Sequence, residues 1–240
     1  MPTTFVMQQN NIAILCTRPL QEELVKEAAA AGIFIDELSF IETVPVQNVE
    51  VQQEVEQVLA LSATVVFTSM NAVEAVAEFT GYQKPEWQVY CIGTATAALV
   101  EKYFGAGTIA GTADSAAALA AVIAEDRFID NVIFFCGNQR RDELPDILRK
   151  NDIEVTEIVV YQTIAVPHKI TKEYNGVLFF SPSAVESFFS NNKLPQQTIL
   201  FAIGATTANT IKKFSDNTTV ISDKPGKENL VKKMMEYFGR

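Results

Sequence analysis

Residues 65–76 read VVFTSMNAVEAV and residues 177–188 read VLFFSPSAVESF, so the chain carries one pattern twice. In each copy an apolar strand runs into a serine-bearing turn and on into an amphipathic helix. The turn therefore sits at the carboxyl end of a strand and the amino end of a helix. Unpaired backbone N–H groups gather there, and the helix dipole favours negative charge. Each copy is a candidate anion cradle.

Outward from the cradles, strand-like and helix-like segments alternate along the chain. Residues 11–16 (NIAILC) predict a buried strand, and 20–31 a helix closed by Gly32 just past its end. Residues 33–46 and 154–166 read as long extended stretches, with Pro45 and Pro167 near their ends. Helical spacing marks 50–61, and Asp114 is the expected N-cap of an alanine-rich helix over 115–124. Such alternation predicts an α/β protein with parallel sheets covered by helices. The repeat also extends beyond the cradles. Glu23-Leu24 matches Glu143-Leu144, the stretch from Ile41 to Val44 matches that from Tyr161 to Ile164, and Ile92-Gly93 matches Ile203-Gly204. The chain reads as two copies of one five-stranded α/β unit.

The 240 residues are 48% hydrophobic, enough to build cores and too much for a disordered chain. No apolar run is long enough to span a membrane, and the opening MPTTFVMQQN has no basic-then-apolar leader pattern. It reads as a frayed tail. The three cysteines, Cys16, Cys91 and Cys136, each fall in or at the end of an apolar strand. Their odd number and lack of metal-ligand spacing point to reduced core thiols in a cytoplasmic protein. A net charge of −10 speaks against nucleic acid or an anionic membrane as a partner. A monomer is expected, since two small cores use up the apolar periodicity.

The absent chemistry narrows the function. With a single histidine, His168 in a polar turn after Pro167, neither a zinc site nor Ser–His–Asp or Cys–His catalysis is expected. No glycine-rich dinucleotide or P-loop motif occurs, so no cofactor is expected. What remains is hydroxyls, amides and glycines at strand ends: Ser69, Asn71, Thr94 and Thr96 in the first half, Ser181, Ser183, Thr206 and Thr207 in the second. Helix capping accounts for any one of them. It does not account for four strand-end turns that all place such groups beside Gly or Ala, where ligands of α/β sheets bind. Arg18 and Arg140 lie in matching strand-exit turns, the latter in Gly137-Asn138-Gln139-Arg140, and arginine suits a bidentate carboxylate. Tyr161 stands where the other half has Ile41, a polar-tipped ring in place of a plain aliphatic. Two function classes fit these residues: an enzyme on a polyanion, or a two-lobed α/β binding protein that closes on a small polyanion without chemistry.

The ordered set TRP (17–19), FTSMNAVEA (67–75), IGTATAAL (92–99), FFCGNQRRDELP (134–145), VVYQT (159–163), FFSPSAVESF (179–188) and AIGATTANTI (202–211) resembles the uroporphyrinogen III synthase family. The likeness runs from about Ile12 to the last helix. Met70 stands where the family often has Pro, and so does Ala205.

The resemblance implies two similar flavodoxin-like parallel-sheet domains, a part-exchanged tandem repeat. Residues 1–38 with 168–240 would form one domain and 47–158 the other. Residues 39–46 and 159–167 would form a two-stranded β-ladder joining them. It implies hydroxymethylbilane, a linear tetrapyrrole with eight carboxylates, as the substrate, bound between the domains. The implied reaction is cyclisation with loss of water and inversion of the last pyrrole ring through a spiro intermediate, without cofactor or metal. Tyr161, from VVYQT, would hydrogen-bond the leaving hydroxyl. Carboxylates would be held by Thr206, Thr207, Ser181 and Ser183 and, from the other lobe, Ser69, Thr94 and Thr96. Arg18, Asn71, Gly137, Asn138 and Arg140 complete the expected binding set.

Overall fold

The computed structural model describes residues 11–81, 84–224 and 226–239; the frayed tail expected at 1–10 lies outside them. Its strands are, in order, β1 (Ile12–Cys16), β2 (Ile33–Glu37), β3 (Ile41–Pro45), β4 (Ala63–Phe67), β5 (Trp87–Ile92) and β6 (Ile109–Ala113). Then follow β7 (Asn131–Gly137), β8 (Glu154–Ala165), β9 (Gly176–Phe179), β10 (Ile199–Ala202) and β11 (Thr219–Ile221). The helices are α1 (Glu22–Ala30), α2 (Val49–Leu59), α3 (Met70–Thr80), α4 (Thr94–Phe104) and α5 (Ala116–Glu125). They continue with α6 (Glu143–Lys150), α7 (Pro182–Asn191), α8 (Ala205–Ile211) and α9 (Lys227–Phe238).

By its contacts the chain divides into two units, Met1–Glu42 with Ile164–Arg240, and Thr43–Thr163. The first holds a sheet in the order β2-β1-β9-β10-β11, every pairing parallel. The second sheet runs β3-β8-β7-β4-β5-β6, parallel from β8 to β6. Each sheet thus combines strands from both halves of the sequence.

Parallel strands covered on both faces need continuous apolar runs, and the central ones have them. In β4, Val65 and Phe67 enter a core with Val55, Val73, Val76, Val100 and Phe104, while Val66 enters another with Leu119, Ile123, Leu144 and Leu148. Helices α2, α3 and α4 therefore cover one face of the second sheet, and α5 and α6 the other. In the first unit Ile14 and Phe201 pack with Leu24, Leu230 and Met234, and Leu15 and Leu200 with Val185, Phe188 and Ile211. Helix α1 ends as expected: Gly32 takes φ 77°, a left-handed turn that glycine adopts without strain.

Three local expectations change. The 33–46 stretch is two strands: the β2–β1 ladder ends with the Leu38 N–H bond to the Cys16 carbonyl at 2.9 Å, and Phe40 then dives into the core at 0% exposure. Ser115, not Asp114, caps α5, accepting from the Ala118 N–H at 3.2 Å. His168 is half-buried, with Nε2 3.1 Å from the Ser39 carbonyl oxygen and its ring edge-on to Phe40 at 5.5 Å.

All three cysteines are free and buried. Desolvation pushes the Cys16 thiol up to about 12 and those of Cys91 and Cys136 up to about 11. A thiol so far from its thiolate is a poor nucleophile. The native protein at pH 8 is expected to give no reaction with a disulfide reagent over minutes, and three equivalents after guanidinium unfolding. Release of one equivalent by the native protein would contradict this burial.

Candidate active site

In the second unit the sheet order reverses between β7 and β4. The helix after β7, α6, packs on one face, while α3, after β4, packs on the other. Chains leaving to opposite sides open a crevice at the carboxyl ends of the two strands, where α/β sheets bind ligands. A cavity of about 400 Å³ lies there. Thr68 and Ser69 line it from the exit of β4, Ile92 from the end of β5, and Asp114, Ser115 and Ala116 from the β6–α5 turn. Phe134 and Gly137 of β7, Arg140, Arg141, Glu143 and Leu144 after it, and Tyr161 of β8 complete the wall. Five neighbouring strands thus each bring a residue or a following turn to one hollow.

Tyr161 is placed by a break in strand register. The pairing of β7 with β8 runs evenly to Cys136–Val159 and then jumps to Gly137–Tyr161, leaving Val160 as an extra residue. A bulge of this kind re-aims a side chain. Tyr161 accordingly packs beside Val160 against the α2–α3–α4 core instead of following Val159 to the other face. Its ring lies directly on Gly137. A Cβ at 137 would fall within van der Waals overlap of ring carbons Cε2 and Cζ, and 2.8 Å from the phenol Oη. Glycine is needed here for close approach, not for an unusual φ. The neighbouring turn fixes the pair: Asn138 donates its N–H to the Tyr161 carbonyl at 3.1 Å, and its Oδ1 accepts from Thr163 N–H at 2.9 Å.

Arg140 is already engaged. Its Nε donates to Glu157 Oε2 and its Nη1 to Asp142 Oδ1, while the other oxygen of Glu157 accepts from Arg149 Nη2 at 2.7 Å. Partial burial works against the Arg140 charge, but the bonds to Asp142 and Glu157 outweigh it and hold the guanidinium above its usual pKa. The serine hydroxyls on the rim are also in use. Ser69 Oγ accepts from Asn71 N–H at 3.2 Å and caps α3.

Of the residues chosen from sequence, Ser69, Gly137, Arg140 and Tyr161 share this cavity. Asn71, Thr94, Thr96 and Asn138 belong to the same unit but do not line it. Thr94 and Thr96, expected in a strand-end turn, lie inside α4, which Gly93 caps, and Thr96 is buried at 5% exposure. In the first unit, Ser181 caps α7, with its Oγ 3.1 Å from Ser183 Oγ and accepting from Ala184 N–H at 3.2 Å. Thr206 and Thr207 sit in the first turn of α8, the former exposed and the latter buried at 3% exposure. Arg18 is exposed at the exit of β1, beside Thr17, whose buried hydroxyl donates to the Leu178 carbonyl at 2.8 Å. Thr68, Asp114, Ser115, Arg141 and Glu143 line the cavity without having been chosen as ligand contacts. Ser115 could have been found by the same strand-end rule that found Ser69.

Among the described residues, no group of three or more His, Cys, Asp or Glu side chains could hold a metal ion, and no helix is long and apolar enough to cross a membrane.

No curated protein sequence matches the chain significantly. Solved structures do match. Uroporphyrinogen-III synthetase from Helicobacter pylori superposes with TM-score 0.67 at 16% identity, over 94% of this chain and 99% of that one. A mutant uroporphyrinogen III synthase from the extreme thermophile Thermus thermophilus gives TM-score 0.62 at 14% identity, over 95% and 97%. At such identities the likeness establishes the fold. The family model described as uroporphyrinogen-III synthase HemD matches residues 22–232. With that model covering most of its length, the chain belongs to the uroporphyrinogen-III synthase family.

Proposed function

We propose that the chain cyclises hydroxymethylbilane to uroporphyrinogen III, with Tyr161 as the hydrogen-bond donor to the departing hydroxyl. The pyrrole nitrogen lone pair expels that hydroxyl once its oxygen is hydrogen-bonded, leaving a cationic methylene. Attack by the substituted carbon of the last ring gives the spiro intermediate, and fragmentation and reclosure invert the ring. One water is lost and no electrons are exchanged. The enzyme's task is to hold a chain that closes unaided to the symmetric isomer in the one shape that leads to inversion. The observation carrying this reading is the phenol of Tyr161, re-aimed by a bulge into a cavity at the switch point of a parallel sheet.

Around Tyr161, where Arg140 is already paired with Glu157 and Asp142, Ser69, Asn71, Thr94, Thr96, Gly137 and Asn138 are read as the substrate contacts of one unit. Arg18, Ser181, Ser183, Thr206 and Thr207 are those of the other. The finer domain reading goes with this. Two flavodoxin-like domains, 1–38 with 168–240 and 47–158, are joined by a ladder of 39–46 and 159–167, as copies of one unit that exchanged their first two strands. Three buried free thiols suit a reducing cytoplasm, and a monomer is the reading that two small cores using up the apolar periodicity support.

The test supplies freshly generated hydroxymethylbilane, oxidises the product and resolves the porphyrin isomers by chromatography. The wild-type chain is expected to give the inverted isomer; the symmetric isomer alone, at the rate without protein, defeats the reading. Tyr161→Phe is expected to lower kcat by about 10- to 100-fold, the value of one hydrogen bond to a group gaining charge, without abolishing turnover. A larger defect in Thr207→Ala would overturn that ranking.

A further inference from the structure

Two adjacent arginines reach the cavity, and the structure gives them different occupations. Arg140 is held between Glu157 and Asp142, with Arg149 completing the network on Glu157. Its side chain is 26% exposed and that of Glu157 is 16% exposed. Two carboxylates offset its charge, and the same bonds tie the turn after β7 to β8, four residues before Tyr161. Arg141 is exposed, lines the cavity, and makes no hydrogen bond or ion pair among the described residues. The other charged side chains of the wall, Asp114 and Glu143, are acidic, in a chain whose net charge is already −10. A carboxylate entering here meets repulsion from both acids and only one guanidinium whose charge is not already paired with carboxylates.

We propose that Arg141, and not Arg140, is the residue of this cavity that binds a carboxylate arm of the substrate, while Arg140 is a positioning residue for the turn that carries it. The proposal rests on the tetrapyrrole reading above, because an arm with a free carboxylate is what an unpaired guanidinium selects. Arg141 acts on the ground state and the transition state alike, since the arm it holds does not react; its loss appears in KM and not in kcat. Arg140 acts through the backbone, so its loss appears in kcat and thermal stability.

The experiment compares the full-length wild type with Arg141→Ala, Arg141→Lys and Arg140→Ala. Steady-state kinetics use fresh hydroxymethylbilane at low and moderate salt, and fluorescence titration uses uroporphyrin, an octacarboxylate that needs no turnover. Arg141→Ala is expected to raise KM about tenfold with kcat within twofold, and to weaken uroporphyrin binding by a similar factor. It should also flatten the salt dependence of KM, which Arg141→Lys restores together with part of the affinity. Arg140→Ala is expected to lower kcat and Tm with KM within threefold. The assignment is overturned if Arg141→Ala leaves both KM and uroporphyrin affinity within twofold of wild type, or if Arg140→Ala raises KM tenfold at unchanged Tm. An inactive wild type whose uroporphyrin affinity still falls in Arg141→Ala would defeat the synthase reading and keep the carboxylate site. Equal affinities there would defeat the site as well.

Discussion

Gly137→Ala is expected to lower kcat by tenfold or more, although the substitution adds only one methyl group. The new Cβ would occupy the space of the Tyr161 ring, and 137 is the strand residue paired with 161. Backbone on both sides is fixed: β7 lies between β8 and β4, and Asn138 N–H is bonded to the Tyr161 carbonyl. The ring is the part free to move, and it must swing off the strand. Misplacing a positioned group by about 1 Å costs on the order of 100-fold in rate, and overpacking a filled site costs about 1–3 kcal/mol of stability. The clash is specific to the pair, which supplies a control. In a Tyr161→Ala background, Gly137→Ala should be nearly neutral for stability, giving a coupling of about 1–3 kcal/mol in a double-mutant cycle. Wild-type kcat and Tm in Gly137→Ala would show that the ring tolerates displacement and that its position does not matter.

Phe135→Ala should produce the largest loss of stability. Phe135 is at 0% exposure in β7, stacked on Phe67 at 5.5 Å and tilted against Trp87 at 5.8 Å. Phe67 in turn stacks on Phe104 at 5.9 Å, so removing one ring leaves a gap at the centre of an aromatic cluster. Truncating a buried Phe to Ala costs about 3–5 kcal/mol, part lost transfer energy and part cavity. Trp87 is the only tryptophan of the chain and lies in this core, so its fluorescence reports on this unit. The urea midpoint followed by that signal is expected to fall by about 1–2 M with an unchanged slope. A loss below about 1 kcal/mol would mean that neighbouring rings collapse into the space.

The sequence made the alternation of strand and helix legible because each segment announces itself locally. The apolar runs at Val65–Val66–Phe67 and Val177–Leu178–Phe179 are followed by Ser69 and Ser181, and both serines cap helices. What local signals cannot say is which strands become neighbours. Repeated halves are equally compatible with each half closing its own sheet, and the mixed pairing that sets β1 beside β9 was implied only by the family resemblance. The site follows the same division. Strand-end hydroxyls and glycines could be chosen by rule. The reason for Gly137 could not, because it lies in a ring 24 positions away that a bulge turned to the other face. Choosing between Arg140 and Arg141 required Glu157, which is also distant in sequence. Capping rules failed by one residue at Asp114, where Ser115 was equally eligible.

The strand order sets a timetable for the growing polypeptide. Residues 43–163 form one unit from an unbroken run, so all its strands are available once β8 has been synthesised. The other unit needs β9, β10 and β11 beside β1, and β1 emerges long before them. Ile14 and Leu15, at 0% and 1% exposure in the finished protein, lack their β9 partners Gly176 and Val177 until the last third of the chain appears. Domains generally fold as units, and at ribosomal speeds that wait lasts from several to tens of seconds. Strand β1 is therefore made early and buried late. A nascent chain stopped after β8 should hold a protease-resistant middle and a start that remains open to cleavage or to a chaperone.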